Sequence, residues 1–274
     1  MSEELSYLIN LLGDDDPYVA NAVVPPIVEE GPSVLPLIRQ RIQNVNNKTE
    51  KSNLRRMYGV IWDELIINEF QELVESKCDN LSEWVELLSA LAFGDKFDRA
   101  QYKKSLDMDF NSLYEGEALT FLTDIEILNR FNYQFIYDIR YIQVRVLNGL
   151  TPERLKDLYN LSIVSAKHEG AVSAIEIIYL IQAQLCQLPF YPEITSGRLN
   201  FIFARSEDIS LLVRVGDLEL QKYERGFEKC NKLQYTIKSF NYFANSLLAF
   251  FASRGDNIKK TAIERMLEIV DKLK

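Results

Sequence analysis

Along the opening residues, apolar positions recur at helical spacing and are cut short by proline and glycine, which predicts a series of short helices. Leu5, Leu8, Ile9 and Leu12 share one face of a first helix that Ser2 caps and Gly13 ends. Asp16-Pro17 has the form of an N-cap followed by proline at the first helical position. Pro25-Pro26 removes two consecutive backbone N–H groups and must break or kink the helix that follows. A third helix is predicted from Gly31-Pro32 through Val34, Leu35, Leu37, Ile38 and Ile42. Together these elements read as a HEAT-like helical module over residues 1–50, with the polar stretch QNVNNKTEKSN (43–53) as its linker.

Beyond it, Leu54, Met57, Ile61, Leu65, Ile66, Phe70 and Leu73 keep a 3.6-residue period and predict a long helix over about 52–76. Helices are expected at 81–93, 98–113 and 117–131, and another from the Thr151-Pro152-Glu153 cap to about residue 166. Segment 133–147, YQFIYDIRYIQVRVL, is ambiguous between strand and helix. A tight turn at Gly170 introduces an apolar helix that closes on Leu188-Pro189. The texture then changes. RLNFIFA (198–204) and DISLLVRV (208–215) form a hairpin signal, to which LELQKYE (218–224) adds a third strand. Two final helices follow, an aromatic-rich one over about 231–253 and one that Asp256 caps. The expected fold class is therefore mainly α with a small antiparallel β-sheet (α+β), residues 51–274 forming a helical core with its β segment at about 198–224.

This order of elements, with LYNLSIVSAKHEGAVSAIEIIYLIQAQLCQLPFY at its centre and SGRLNFIFA after it, resembles the SirB-type transglutaminase-like family. Gly170, Ser173, Ile175, Tyr179, Leu180, Ala183, Leu185, Leu188 and Pro189 match that family's phrase for this helix. The resemblance implies a transglutaminase-like core in which a cysteine would start the helix and a histidine would stand on the following strand. Here Gly170, Ala171, Val172, Ser173 and Ala174 occupy the helix start, and Asn200 stands where the histidine would be. Both reactive partners implied by the resemblance are missing from their places.

Composition narrows the function classes. The chain has 274 residues, a net charge of −9 and 47% hydrophobic content, which suits a folded domain and argues against a nucleic-acid partner, whose footprint would be basic. Three scattered cysteines, Cys78, Cys186 and Cys230, and a single histidine, His168, cannot supply a zinc site, so neither metal nor cofactor is expected. Asp14-Asp15-Asp16 reads as a solvated capping turn, not a cation loop. The N-terminal stretch has neither the basic flank nor the apolar run of a signal peptide, and no segment approaches the ~18 apolar residues of a membrane helix, so a cytoplasmic protein without membrane partners is expected.

The candidate residues of a degenerate cleft are Gly170, Ser173, Asn200 and His168. A serine nucleophile at Ser173 needs a base and a group to orient it, and no third member is evident near His168, which reads as a surface histidine. Cys186 lies at the wrong end of its helix for an activated thiolate, and Cys230 sits beside Lys229. The aromatic run at 235–251 reads either as a helix buried on several sides or as a partner surface. These features favour a non-catalytic scaffold that binds a protein or peptide. The alternatives are a hydrolase or acyltransferase using Ser173 or a relocated thiol, and a helical-repeat adaptor unrelated to transglutaminases.

Overall fold

A computed structural model describes residues 3–114, 123–144, 150–195, 198–204, 211–215, 217–222 and 229–273. The chain divides into two compact units, residues 1–72 and 73–274.

The first unit is helical: α1 (Glu3–Leu11), α2 (Pro17–Ala22), α3 (Val24–Glu29), α4 (Val34–Asn44) and most of α5 (Lys48–Glu75). Asp16 caps α2 by accepting the Tyr18 N–H at 2.9 Å. Pro25 and Pro26 fall in the first turn of α3, where their missing N–H groups are not needed, so they start a helix where they would have broken one. The linker expected at 43–53 is almost wholly helical, since α4 runs to Asn44 and α5 begins at Lys48. The unit also extends past residue 50. Leu54, Met57 and Ile61 of α5 close the same core as Leu5, Ile9, Leu12, Ile27 and Ile38, so the module needs α5 to bury its apolar faces. Asn53 ties α5 to the acidic turn by donating to the Asp14 carbonyl at 3.1 Å. Gly13 is required by closeness, because a Cβ there would lie 2.7 Å from Glu50 Cγ.

The second unit is mostly helical with one small antiparallel sheet. It opens with α6 (Leu81–Phe93), which Asn80 caps, followed by α7 (Arg99–Tyr114) and α8 (Asp124–Tyr133). Of the helix expected at 117–131, residues 117–122 lie outside the described set, and α8 starts at Asp124 under a Thr123–Glu126 capping box. In segment 133–147, of which residues 145–147 lie outside the described set, both alternatives occur in succession. A wide helical turn over Gln134–Asp138 gives way to β1 (Ile142–Val144). The helix expected from Thr151 to residue 166 is two, α9 (Pro152–Asp157) and α10 (Leu161–Lys167), because Asn160 starts a new helix by accepting the Ser162 N–H. β2 (Glu169–Ala171) then pairs in parallel with β1 and leads directly into α11 (Val172–Leu185).

Four strands follow in simple antiparallel order: β3 (Phe190–Thr195), β4 (Arg198–Phe203), β5 (Leu211–Arg214) and β6 (Asp217–Lys222). The sheet thus has one strand more than the sequence predicts. β3 contains Pro192, which a central strand could not accommodate but an edge strand can. Phe190, Phe201 and Phe203 turn to the helices, and Tyr179 of α11 packs on Phe201 at 5.2 Å and Phe190 at 5.5 Å. Last come α12 (Lys232–Ala252) and α13 (Asn257–Asp271). The aromatic run of α12 is core: Tyr235, Phe240, Phe243, Phe250 and Phe251 are all buried, Phe240 edge-on to Trp84 at 5.5 Å. It is not the partner surface that its density allows. No helix among the described residues is long and apolar enough to cross a membrane.

Candidate functional site

The start of α11 is where the candidate residues converge in sequence, and the structure sends each to a different partner. Gly170 is not a turn. It sits inside β2, at ordinary φ, where a Cβ would meet Val164 Cγ1 at 2.7 Å and Ile175 Cδ1 at 3.2 Å. The turn is made by His168, the C-cap of α10, in the left-handed region at φ 52°. Ser173 is buried, and its Oγ shares a 2.6 Å hydrogen bond with Ser246 Oγ of α12. Asn200 lies on β4 opposite Glu193 of β3, on the strand face opposite Phe201, the residue that packs on α11. Among the described residues no hydrogen bond links Gly170, Ser173, Asn200 and His168 to one another.

His168 has the third member that sequence alone does not reveal. Its Nε2 stands 3.3 Å from Oδ1 of Asp109, a buried carboxylate on α7, and its ring lies against Tyr141 at 4.8 Å between centroids. Tyr141 Oη donates to the other Asp109 oxygen at 2.6 Å. Burial, then the neighbouring Asp109 charge, holds the Tyr141 phenol far above its usual range, so it remains a donor. His168 is therefore not a free surface histidine but a half-exposed imidazole braced by a buried acid. No chain-local signal could have joined residues 109, 141 and 168.

Ser173 belongs to a second polar group that runs along the contact between α11 and α12. Ser173 meets Ser246, and one turn later Glu176 Oε2 accepts a very short hydrogen bond from Tyr242 Oη. Further on, Tyr235 Oη donates to the Leu180 carbonyl at 2.7 Å, so the numbering runs down α12 as it runs up α11 and the helices are antiparallel. Tyr159, just ahead of α10, hydrogen-bonds to the Ser246 hydroxyl that Ser173 uses. Burial pushes the Glu176 carboxyl up to about 7, against the opposing pull of the Tyr242 bond. The Tyr242 phenol is in turn raised by burial and by the Glu176 charge. Sequence reasoning passes over Glu176 because a lone glutamate in an apolar helix looks like a solvated charge.

The cysteines divide by environment. Burial pushes the Cys186 thiol up to about 12, and Cys78 is also raised, chiefly by burial. Neither is an activated thiolate. Among the described residues no group of three or more His, Cys, Asp and Glu side chains could hold a metal ion. In the aspartate turn, Asp14 accepts the Asp16 N–H at 2.8 Å and Asp15 accepts from Asn53, so its acids are spent on capping.

The first unit carries a groove of about 230 Å³ between α1 and α4. Ser6, Ile9 and Asn10 line it from α1, and Leu37, Gln40, Arg41 and Asn44 from α4. Arg41 Nη2 bonds Glu50 at 2.5 Å, while its buried Nε has no hydrogen-bond partner among the described residues. No protein-family model, curated protein or solved structure matches the chain. The functional reading accordingly rests on residues and geometry.

Proposed function

We propose that this chain is a non-catalytic protein of transglutaminase-like ancestry that binds a protein or peptide partner. The observation that carries the reading is the groove between α1 and α4, lined by two aliphatic side chains, one hydroxyl, three carboxamides and a guanidinium. Carboxamides both donate and accept, which suits an extended peptide backbone presenting alternating C=O and N–H groups. The unpartnered Arg41 Nε adds a donor that a ligand carbonyl or carboxylate would satisfy once the side chain shifts. The packing of α11 against the aromatic face of the sheet supports the ancestral arrangement, and the diversion of Ser173 to Ser246 and of His168 to Asp109 supports its loss of acyl transfer.

The test is a titration of the full chain with a random extended-peptide library, followed by amide NMR. Bound peptides should shift resonances in residues 6–10 and 37–44, and Gln40→Ala with Asn10→Ala should weaken binding about tenfold or more, in line with two lost hydrogen bonds. Binding unaffected by both substitutions, or amide turnover by the native chain, would overturn the proposal.

A further inference from the structure

The groove between α1 and α4 is lined by one cation and no acid: Arg41 faces it, while Glu3 and Glu4 sit in the first turn of α1, outside the lining. An arginine offers five N–H donors, yet among the described residues the Arg41 guanidinium makes one hydrogen bond, from Nη2 to Glu50 Oε1 at 2.5 Å. Its Nε, on the same edge of the guanidinium as Nη2, is buried without a partner among the described residues. That edge can grip a carboxylate through two parallel bonds, and Glu50 meets only half of it. Ile9 and Leu37 add aliphatic surface to the same groove. We propose that the groove takes the C-terminal end of a partner chain, with its carboxylate on Arg41 and an apolar last side chain against Ile9 and Leu37, an assignment that rests on the peptide-binding reading above.

A chain end is favoured over an internal acidic residue by what a single residue must supply. Leu37 and Arg41 stand one turn apart on α4 and so present an apolar and a cationic surface side by side. A C-terminal residue carries a carboxylate and a hydrophobic side chain on one Cα, and covers both surfaces at once. An aspartate or glutamate within a chain spends its side chain on the charge and leaves Ile9 and Leu37 bare. The volume of about 230 Å³ lies below the ~300–1,000 Å³ of sites that enclose drug-sized ligands, which suits a terminal residue or two and not a long segment. The side chains of Ser6, Asn10, Gln40 and Asn44 make no hydrogen bond among the described residues, so they are available to the last peptide groups. Glu50 can be replaced, because its pair with Arg41 is open to water, with side chains 27% and 36% exposed, and ion pairs of this kind are weak. The net charge of −9 opposes an anion chiefly from distances that physiological salt screens, beyond ~8 Å.

The test is calorimetric titration of the full chain with an N-acetylated tetrapeptide ending in leucine, as the free acid and as the C-terminal amide, with amide NMR to locate each. The free acid should bind about tenfold or more tighter than the amide and shift residues 6–10 and 37–44. Arg41→Gln should weaken the free acid by a similar factor and leave the amide nearly unchanged. The two losses then do not add, which a general disturbance of the groove would not produce. Glu50→Gln removes the internal competitor and should tighten binding of the free acid severalfold. Equal affinity for acid and amide, both shifting the groove, would overturn the chain-end assignment and leave the groove as a peptide site. Tighter binding of an end-blocked peptide with an internal glutamate would also overturn it, and would assign Arg41 to acidic side chains. No groove shift with any of the three peptides would overturn both the assignment and the reading beneath it. The acid-to-amide comparison uses the native chain, so it decides the matter even where a variant fails to fold.

Discussion

The two halves of α11 are held by different physics. From Val172 to Glu176 the helix is fastened by hydroxyls and a carboxyl: Ser173 to Ser246, Glu176 to Tyr242. From Ile177 to Ala183 every residue is buried, and at the centre Tyr179 packs edge-on to Phe131 at 4.9 Å and to Phe135 at 5.1 Å. Polar bonds of the first kind exchange with water at small net cost, whereas the second kind gives up dispersion contacts and apolar burial together. The first half thus leans more on side-chain hydrogen bonds, and the second more on packing.

The sharpest way to break this comparison is to remove the anchor of the apolar half. Tyr179→Ala would empty a site lined by Phe131, Phe135, Phe190 and Phe201, and should cost about 3–5 kcal/mol, or roughly 10 °C in melting temperature. Tyr179→Phe keeps the ring but strands Asn132 Oδ1, which accepts the tyrosine hydroxyl at 2.6 Å in a buried position, and should cost about 1–3 kcal/mol. Thermal denaturation followed by near-ultraviolet dichroism measures both. If Tyr179→Ala were tolerated as well as a change in the polar half, the division drawn along α11 would fail.

The junction with β2 lies between these extremes. Gly170→Ala places a methyl 2.7 Å from Val164 Cγ1, on a branched side chain with little room to swing, and should cost about 1–3 kcal/mol. Because the penalty is one of space, the double variant Gly170→Ala with Val164→Ala should be less destabilised than the sum of its singles, by about 0.5 kcal/mol or more in denaturant titrations. Strict additivity would mean that Gly170 matters for its backbone and not for its closeness.

How far such features can be read from sequence depends on how local their cause is. The start of α6 at Asn80-Leu81 and the cap of α13 at Asp256 are legible because a cap and its helix are adjacent in the chain. The split of α9 from α10 is legible only if Asn160 is weighed as a second cap, since the apolar pattern runs on through it. β3 is hidden by Pro192, whose tolerance depends on β3 being at the sheet edge, a fact of topology. In the candidate site, Ser173 is found from its place at a helix start, but its partner Ser246 comes from α12 and the brace on His168 from α7. Pairings of this kind are set by how helices stack, and no spacing along the chain encodes them.

The smallest effect should come from the residue that first draws the eye. Ser173→Ala deletes one hydroxyl from the Tyr159–Ser246–Ser173 chain, and Ser246 keeps Tyr159 as a partner, so no buried polar group is abandoned. The expected cost is about 1 kcal/mol or less, near 3 °C, and a double-mutant cycle with Ser246→Ala should return a coupling of about 0.5–1 kcal/mol. The same variant sharpens the chemical side of the comparison. With its Oγ bonded to Ser246 and His168 directed to Asp109, Ser173 has no base to raise its nucleophilicity, and a fluorophosphonate probe should leave the native chain unlabelled. Stoichiometric labelling that disappears in Ser173→Ala, together with loss of an amide-hydrolysing activity, would show that the first half of α11 is a reactive site and not a structural seam.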